Sequence, residues 1–285
     1  MINLGLAFGG GGARGAAHAG ILYELDTIGL KPDLITGTSI GAVVAALAAF
    51  SKTPEEIHQF FTKLTLGSLY NLPGKNPSLS SLARFESVLV EMLGRPDFSE
   101  STIPFSVVAT NLSTRQEVVL GEGDVVSAVM ASMAFPILLP PVERNGLLLV
   151  DGGLVNNVPF DVARARGATV VIAVDLGNSA PYGSEPTIGT ANGLWGRAIN
   201  ATKKRPTFQV MTAVTDIITE RSMQARMAIS PPDLLIRPLM NHVGLIDFDM
   251  TPAAVLAGRQ SIRENPEMIE KLRQWCKNPP NSIQI

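Results

Sequence analysis

Apolar positions follow two rhythms along this chain. Short apolar runs predict buried strands at Ile2 to Phe8, Asp33 to Thr36, Ile103 to Thr110, Gly146 to Val150, Ala168 to Val174 and Leu234 to Pro238. Glu117 to Leu120 reads as an edge strand beside the third of these. Helix spacing marks Ala16 to Ile28 with Gly29 as its cap, Ala42 to Ala49, Thr53 to Leu64, Ser81 to Leu93 and Asp124 to Met133. In the third of these Thr53 caps the start and Pro54 takes the first position. A further helix ends near Arg166, and Ala253 to Arg263 with Glu267 to Trp275 close the chain. Thr207 to Ala228 reads as a long helix with Val210, Met211, Val214, Ile217 and Ile218 on one side.

Three stretches break the pattern. Residues 65 to 81 read as a surface loop. Ala134 to Val142 is apolar but irregular, which suits either a buried connector or a wall for an acyl chain. Residues 177–206, rich in glycine, proline and polar residues, read as a mobile lid or a plain loop. Lys203, Lys204 and Arg205 in it suit anionic lipid headgroups or a solvated surface. A single domain over residues 1–285 is the simplest organisation.

Composition narrows the classes. With 46% hydrophobic and 17% charged residues the chain can bury a large core, which a disordered chain cannot. A net charge of −2 gives no electrostatic reason to expect nucleic acid as a partner. One cysteine, Cys276, and three histidines supply neither an internal disulfide nor a structural zinc site. The N-terminus has no basic region before an apolar one, and the longest apolar run, Ile40 to Phe50, is too short to span a bilayer. A cytoplasmic protein is expected, with peripheral contact at the inner membrane surface as its membrane association. Nothing in the pattern marks an oligomeric state.

The chemistry gathers at glycines. Gly37-Thr38-Ser39-Ile40-Gly41 joins a strand to a helix and fits the G-x-S-x-G turn that lifts a serine hydroxyl above a sheet edge. A plain glycine-bounded turn is the bland alternative. Upstream, Gly9-Gly10-Gly11-Gly12-Ala13-Arg14-Gly15 links the first strand to the first helix. Gly10, Gly12 and Gly15 match a dinucleotide turn, yet the only acid, Asp33, falls at the wrong end of the second strand. No G-K-[ST] follows, so a P-loop fails. An oxyanion hole of backbone amides fits best, because both loops follow strand C-termini and leave one edge of a parallel sheet.

A serine nucleophile needs a proton acceptor. His18, His58 and His242 are the histidines, and the order Ser39, Asp151 or Asp175, His242 even matches α/β-hydrolases. Only one strand–helix unit precedes Ser39, however, where those enzymes place several strands. That leaves Asp151, at the end of a strand and followed by Gly152 and Gly153. Its bland reading is a turn-capping aspartate.

Together Gly10-Gly11-Gly12-Ala13-Arg14-Gly15, Gly37-Thr38-Ser39-Ile40-Gly41 and Asp151-Gly152-Gly153 with Leu154-Val155-Asn156-Asn157-Val158-Pro159 resemble the patatin-like phospholipase family. The run Ala131-Ser132-Met133-Ala134-Phe135-Pro136 is similar too, and in layout the compact bacterial members are nearest. The likeness covers roughly Ile2 to Asp175 and implies a three-layer α/β/α fold around a mostly parallel sheet. It implies hydrolysis of phospholipid or other acyl esters through an acyl-enzyme, with no metal or other cofactor. Carried over, Ser39 is the nucleophile and Asp151 the base, Gly10, Gly11 and Gly12 line the oxyanion hole, and Arg14 braces it. Plant members have an aspartate where this chain has Gly9, a change expected to alter loop support only. An acyltransferase using the same acyl-enzyme and a non-catalytic lipid-sensing module are the alternatives, with a dinucleotide-dependent oxidoreductase behind both.

Overall fold

A computed structural model describes residues 3–64, 77–136, 139–177, 206–240 and 243–277. The expectations placed on the loop at 65–76, on the lid at 178–205 with its basic cluster, and on His242 lie outside these residues.

Among the described residues eight strands form one mixed sheet: β1 (Leu4–Phe8), β2 (Leu34–Thr38), β3 (Phe105–Asn111), β4 (Gln116–Leu120), β5 (Val142–Arg144), β6 (Leu147–Asp151), β7 (Val170–Val174) and β8 (Leu234–Ile236). Along the sheet the order is β5-β6-β3-β2-β1-β7-β8, with β4 paired to β3. The run from β3 through β2, β1 and β7 to β8 is parallel, while β4, β5 and β6 pair antiparallel. β5 was hidden in the sequence by the irregular apolar stretch around it. It has only three residues.

The central strands have no polar side because both faces are covered. Leu4, Leu6 and Phe8 of β1 point into one core with Val170, Ile172 and Val174 of β7. Ala7, Val171 and Ala173, offset by one residue, point into a second core on the opposite face. The first face is packed by α1 (Ala16–Ile28), α2 (Ile40–Ala49), α3 (Pro54–Lys63), α4 (Pro77–Leu93), α5 (Val125–Ser132) and α8 (Thr251–Arg263). The second is packed by α6 (Phe160–Ala165) and part of α7 (Pro206–Ile229). This is the expected three-layer α/β/α arrangement. The last helix, α9 (Pro266–Lys277), packs on α8.

Local signals placed the helix ends well. Thr53 accepts the Glu56 amide in a complete capping box, and Gly29 adopts φ 82° as the cap of α1. α4 starts earlier than expected, at Pro77, whose fixed φ suits a first helical position.

The apolar side of α7 faces outward: Val210, Val214, Ile217 and Ile218 are 48%, 47%, 62% and 42% exposed. The helix instead turns Ser222, Met223 and Arg226 inward. Ser222 donates to the Val155 carbonyl at 2.7 Å, and Arg226 pairs with Asp161 and with Glu117. Charged and hydroxyl groups that find fixed partners outweigh the apolar stripe in choosing this face.

Candidate active site

β1 and β2 are in parallel register, Phe8 beside Gly37, so the glycine loop and Ser39 emerge together at one sheet edge. Ser39 holds φ 55° and ψ −126°, a strained conformation for a side-chain-bearing residue and the one that a nucleophile elbow uses. The flanking glycines are required by contact. A Cβ on Gly37 would lie 2.3 Å from the Gly41 carbonyl oxygen, and one on Gly41 2.2 Å from that of Phe8.

Asp151 arrives by a different route. β2 pairs with β3 over Phe105 to Val108, β6 pairs with it over Ala109 to Asn111, and β4 runs along Val107 to Asn111. A strand has two edges, so β2 and β6 share the edge that β4 leaves. They run toward each other and stop at adjacent positions, Thr38 beside Val108 and Asp151 beside Ala109. The next residue after β2 is Ser39, whose Oγ donates to Asp151 Oδ2 at 2.6 Å.

The other carboxylate oxygen, Oδ1, accepts the Gly153 amide at 2.7 Å. The turn-capping role and the serine contact thus coexist, one oxygen to each. Asp151 is 2% exposed, and burial raises its pKa from 3.8 to about 6 against the lowering effect of the Ser39 and Gly153 bonds. A carboxylate with that pKa is a better base than a solvated one and is still ionised at neutral pH.

In the glycine loop the three candidate amides divide. Gly10 donates its N–H to the Asn157 carbonyl at 3.1 Å, so it shapes the cradle. The N–H groups of Gly11 and Gly12 have no acceptor among the described residues. Gly12 has φ 58°, and a Cβ there would lie 2.1 Å from the Leu245 carbonyl oxygen. All three glycines, Arg14, Ser39 and Asp151 line one cavity. Arg14 is buried and donates to the carbonyls of Val243 at 2.9 Å and Leu176 at 3.0 Å, tying the loop to two other segments. At Gly9 a Cβ would approach the Val174 carbonyl oxygen to 2.8 Å, so this loop has no room for the aspartate of the plant pattern.

The other candidate bases fall elsewhere. His18 is buried with Nε2 2.8 Å from the Gly9 carbonyl oxygen, and burial lowers its pKa to about 4. It supports the glycine loop from behind as a neutral ring. Asp175 is engaged by Arg237 and the Gly177 amide. His58 lies in α3.

Two parts of the site went unread in the sequence. Ser132 was quoted within a motif and given no role, yet its buried hydroxyl accepts the Ser39 N–H at 2.9 Å. Its signal is a serine at the end of an apolar helix. The other part is α7, whose Thr212, Thr215, Asp216 and Thr219 line the same cavity as Ile40, Phe85, Met133, Phe135 and Leu139. The last three of these settle the reading of Ala134 to Val142 and its approach: part of it is a cavity wall.

A half-buried hydroxyl on a buried carboxylate, beside unengaged amides and apolar lining residues, can attack an ester carbonyl and stabilise the resulting charge. Among the described residues no group of three or more His, Cys, Asp or Glu could hold a metal ion. No helix among them is long and apolar enough to cross a membrane.

Comparison with known proteins agrees with this geometry. The family model described as patatin-like phospholipase matches residues 6–164. An uncharacterized NTE family protein of Mycobacterium tuberculosis (strain ATCC 25618 / H37Rv) is 32% identical over 286 residues, covering 92% of this chain and 46% of its own length. Lysophospholipase NTE1 of Pyricularia oryzae is 27% identical over 282 residues, covering 95% of this chain and 19% of its own. Patatin-like phospholipase domain-containing protein 7 of Mus musculus is 36% identical over 183 residues, 61% of this chain and 14% of its own. The chain therefore spans less than half the length of these curated relatives. Among solved structures, VipD from Legionella pneumophila superposes with a TM-score of 0.53 at 14% identity, over 96% of this chain and 66% of that one, a likeness of fold.

Proposed function

The chain belongs to the patatin-like phospholipase family, and from that premise we propose that it is a serine lipid acyl hydrolase working through a Ser39–Asp151 dyad. The observation that carries this reading is the 2.6 Å bond from Ser39 Oγ to Asp151 Oδ2 within reach of the glycine loop.

Ser39 Oγ attacks the ester carbonyl carbon as its proton passes to Asp151. Proton loss and attack are concerted, because a carboxylate is too weak a base to form a free alkoxide first. The tetrahedral oxyanion accepts hydrogen bonds from the Gly11 and Gly12 amides. Collapse breaks the bond from the carbonyl carbon to the alcohol oxygen, and Asp151 returns its proton to that oxygen as the alcohol leaves. Water then attacks the acyl-serine, giving its proton to Asp151. The second collapse releases the fatty acid and restores the Ser39 hydroxyl with the proton held by Asp151. The apolar wall of Met133, Phe135 and Leu139 accommodates the acyl chain.

Hydrolysis of p-nitrophenyl esters and phospholipids by folded Ser39→Ala and Asp151→Asn proteins tests the reading. A loss in kcat of roughly a thousandfold or more is expected for each, the range seen when dyad and triad members are removed. A fluorophosphonate probe should label wild type and leave Ser39→Ala unlabelled. Wild-type turnover in both variants would refute the assignment.

A further inference from the structure

α7 is amphipathic in the reverse sense. Its apolar stripe faces outward, while Thr215, Asp216 and Thr219 face the cavity that holds Ser39. A helix laid on a protein normally buries its apolar side, so a polar strip facing a cavity needs a polar occupant. The strip also has a defined hydrogen-bonding sense. Thr215 donates its hydroxyl to the Met211 carbonyl at 3.0 Å, and Thr219 donates to the Asp216 carbonyl at 3.1 Å. With those protons committed to the helix backbone, the two hydroxyl oxygens offer the cavity lone pairs. Asp216 adds a carboxylate. The strip is therefore made of acceptors and suits an N–H donor, while the buried Arg14 lines the same cavity and acts on Asp216 as a cation.

Resting on the hydrolase reading above, we propose that Thr215, Asp216 and Thr219 form a subsite for the amine-bearing headgroup on the alcohol side of the substrate. An ester divides at its carbonyl into an acyl half and an alcohol half, and the cavity lining has an apolar part and a polar part. Met133, Phe135 and Leu139 take the chain, and the α7 strip takes a primary ammonium of the ethanolamine kind. Asp216 is a specificity residue here and takes no part in bond making. Burial raises its pKa while the buried Arg14 acts to lower it. An arriving ammonium would reinforce the charged form.

The test is calorimetric binding to the Ser39→Ala protein, which keeps the cavity and is read without turnover. Short-chain lysophosphatidylethanolamine is compared with lysophosphatidylmethanol, which keeps the glycerol and phosphate and lacks the amine, both below their micelle concentrations. The expected result is about tenfold tighter binding of the amine lipid, the size of a charge-assisted contact. Adding Asp216→Asn should abolish that preference, and Asp216→Ser serves if the first double variant does not fold. Equal affinities in Ser39→Ala, no binding of either lipid, or a preference that survives loss of the carboxylate would overturn the subsite. A wild-type protein that hydrolyses neither lipid while Ser39→Ala still prefers the amine would keep the subsite and reject the hydrolase reading.

Discussion

The hydroxyl of Ser132 accepts the backbone N–H of Ser39 at 2.9 Å and donates its own proton to the Val108 carbonyl at 2.6 Å. It thereby ties the strained elbow to the middle of β3, one residue from where β6 ends beside Ala109. A positive φ at Ser39 persists only if its surroundings hold it, and this bond is one of the holds. Ser132→Ala leaves a buried N–H without its acceptor, so stability should drop by about 1–3 kcal/mol. On the proposed mechanism kcat should also fall by about tenfold, the effect of roughly 1.4 kcal/mol in the transition state. KM should change far less. Stability and ester turnover of the purified variant check both parts, and a normal kcat would show that the elbow holds itself.

The pH dependence follows from the base. On the proposed mechanism Asp151 is the base and acts ionised; its pKa stands near 6, so kcat/KM should rise with pH through about 6 and level above it. His18, with its pKa near 4, is neutral across that range and adds no second limb. A profile flat from about pH 5 to 7.5 would remove Asp151 from the role of base.

The same shift predicts a stability trade-off. Asp151 binds its proton more tightly folded than unfolded, because its folded pKa of about 6 exceeds the ordinary 3.8. Between those values the folded state holds more protons, so stability declines as pH rises through the window. Asp151→Asn removes the penalty and should be more stable than wild type by on the order of 2–3 kcal/mol at neutral pH. The gain should vanish near pH 4, below the window. His18 acts oppositely: its folded pKa of about 4 lies below 6.5, so its contribution is present above 6.5 and lost as pH falls toward 4. That term is common to both proteins and cancels. Urea unfolding at the two pH values measures the difference, and a variant less stable than wild type at neutral pH would contradict the sign.

Gly41→Ala should damage folding before chemistry. Its Cβ would stand 2.2 Å from the Phe8 carbonyl oxygen and 2.7 Å from that of Gly9, both backbone atoms without a rotamer to yield. A loss of about 3 kcal/mol is expected, the upper end for overpacking. Thermal melts of the variant decide it. A protein of wild-type stability would show that α2 can move away from β1 at little cost.

What was legible in the sequence is what short-range physics fixes. The Thr53 cap, the Gly29 turn, the elbow glycines and the short apolar runs of β1 and β7 each depend on neighbours a few positions away. The glycine loop was placed beside Ser39 because parallel strands joined through a helix put their C-termini on one edge.

Tertiary structure decided the rest. Asp151 was named from its place after a strand, but its contact with Ser39 arises because β2 and β6 meet end to end on β3, a matter of register between segments more than a hundred residues apart. Gly10 was grouped with its neighbours until the Asn157 carbonyl claimed its amide. In α7 the periodicity marked an apolar stripe and left open which way it faces, and the structure turns it outward. A repeat of 3.6 residues says which side chains share a face. Only the partners waiting at Val155, Asp161 and Glu117 determine which way that face turns.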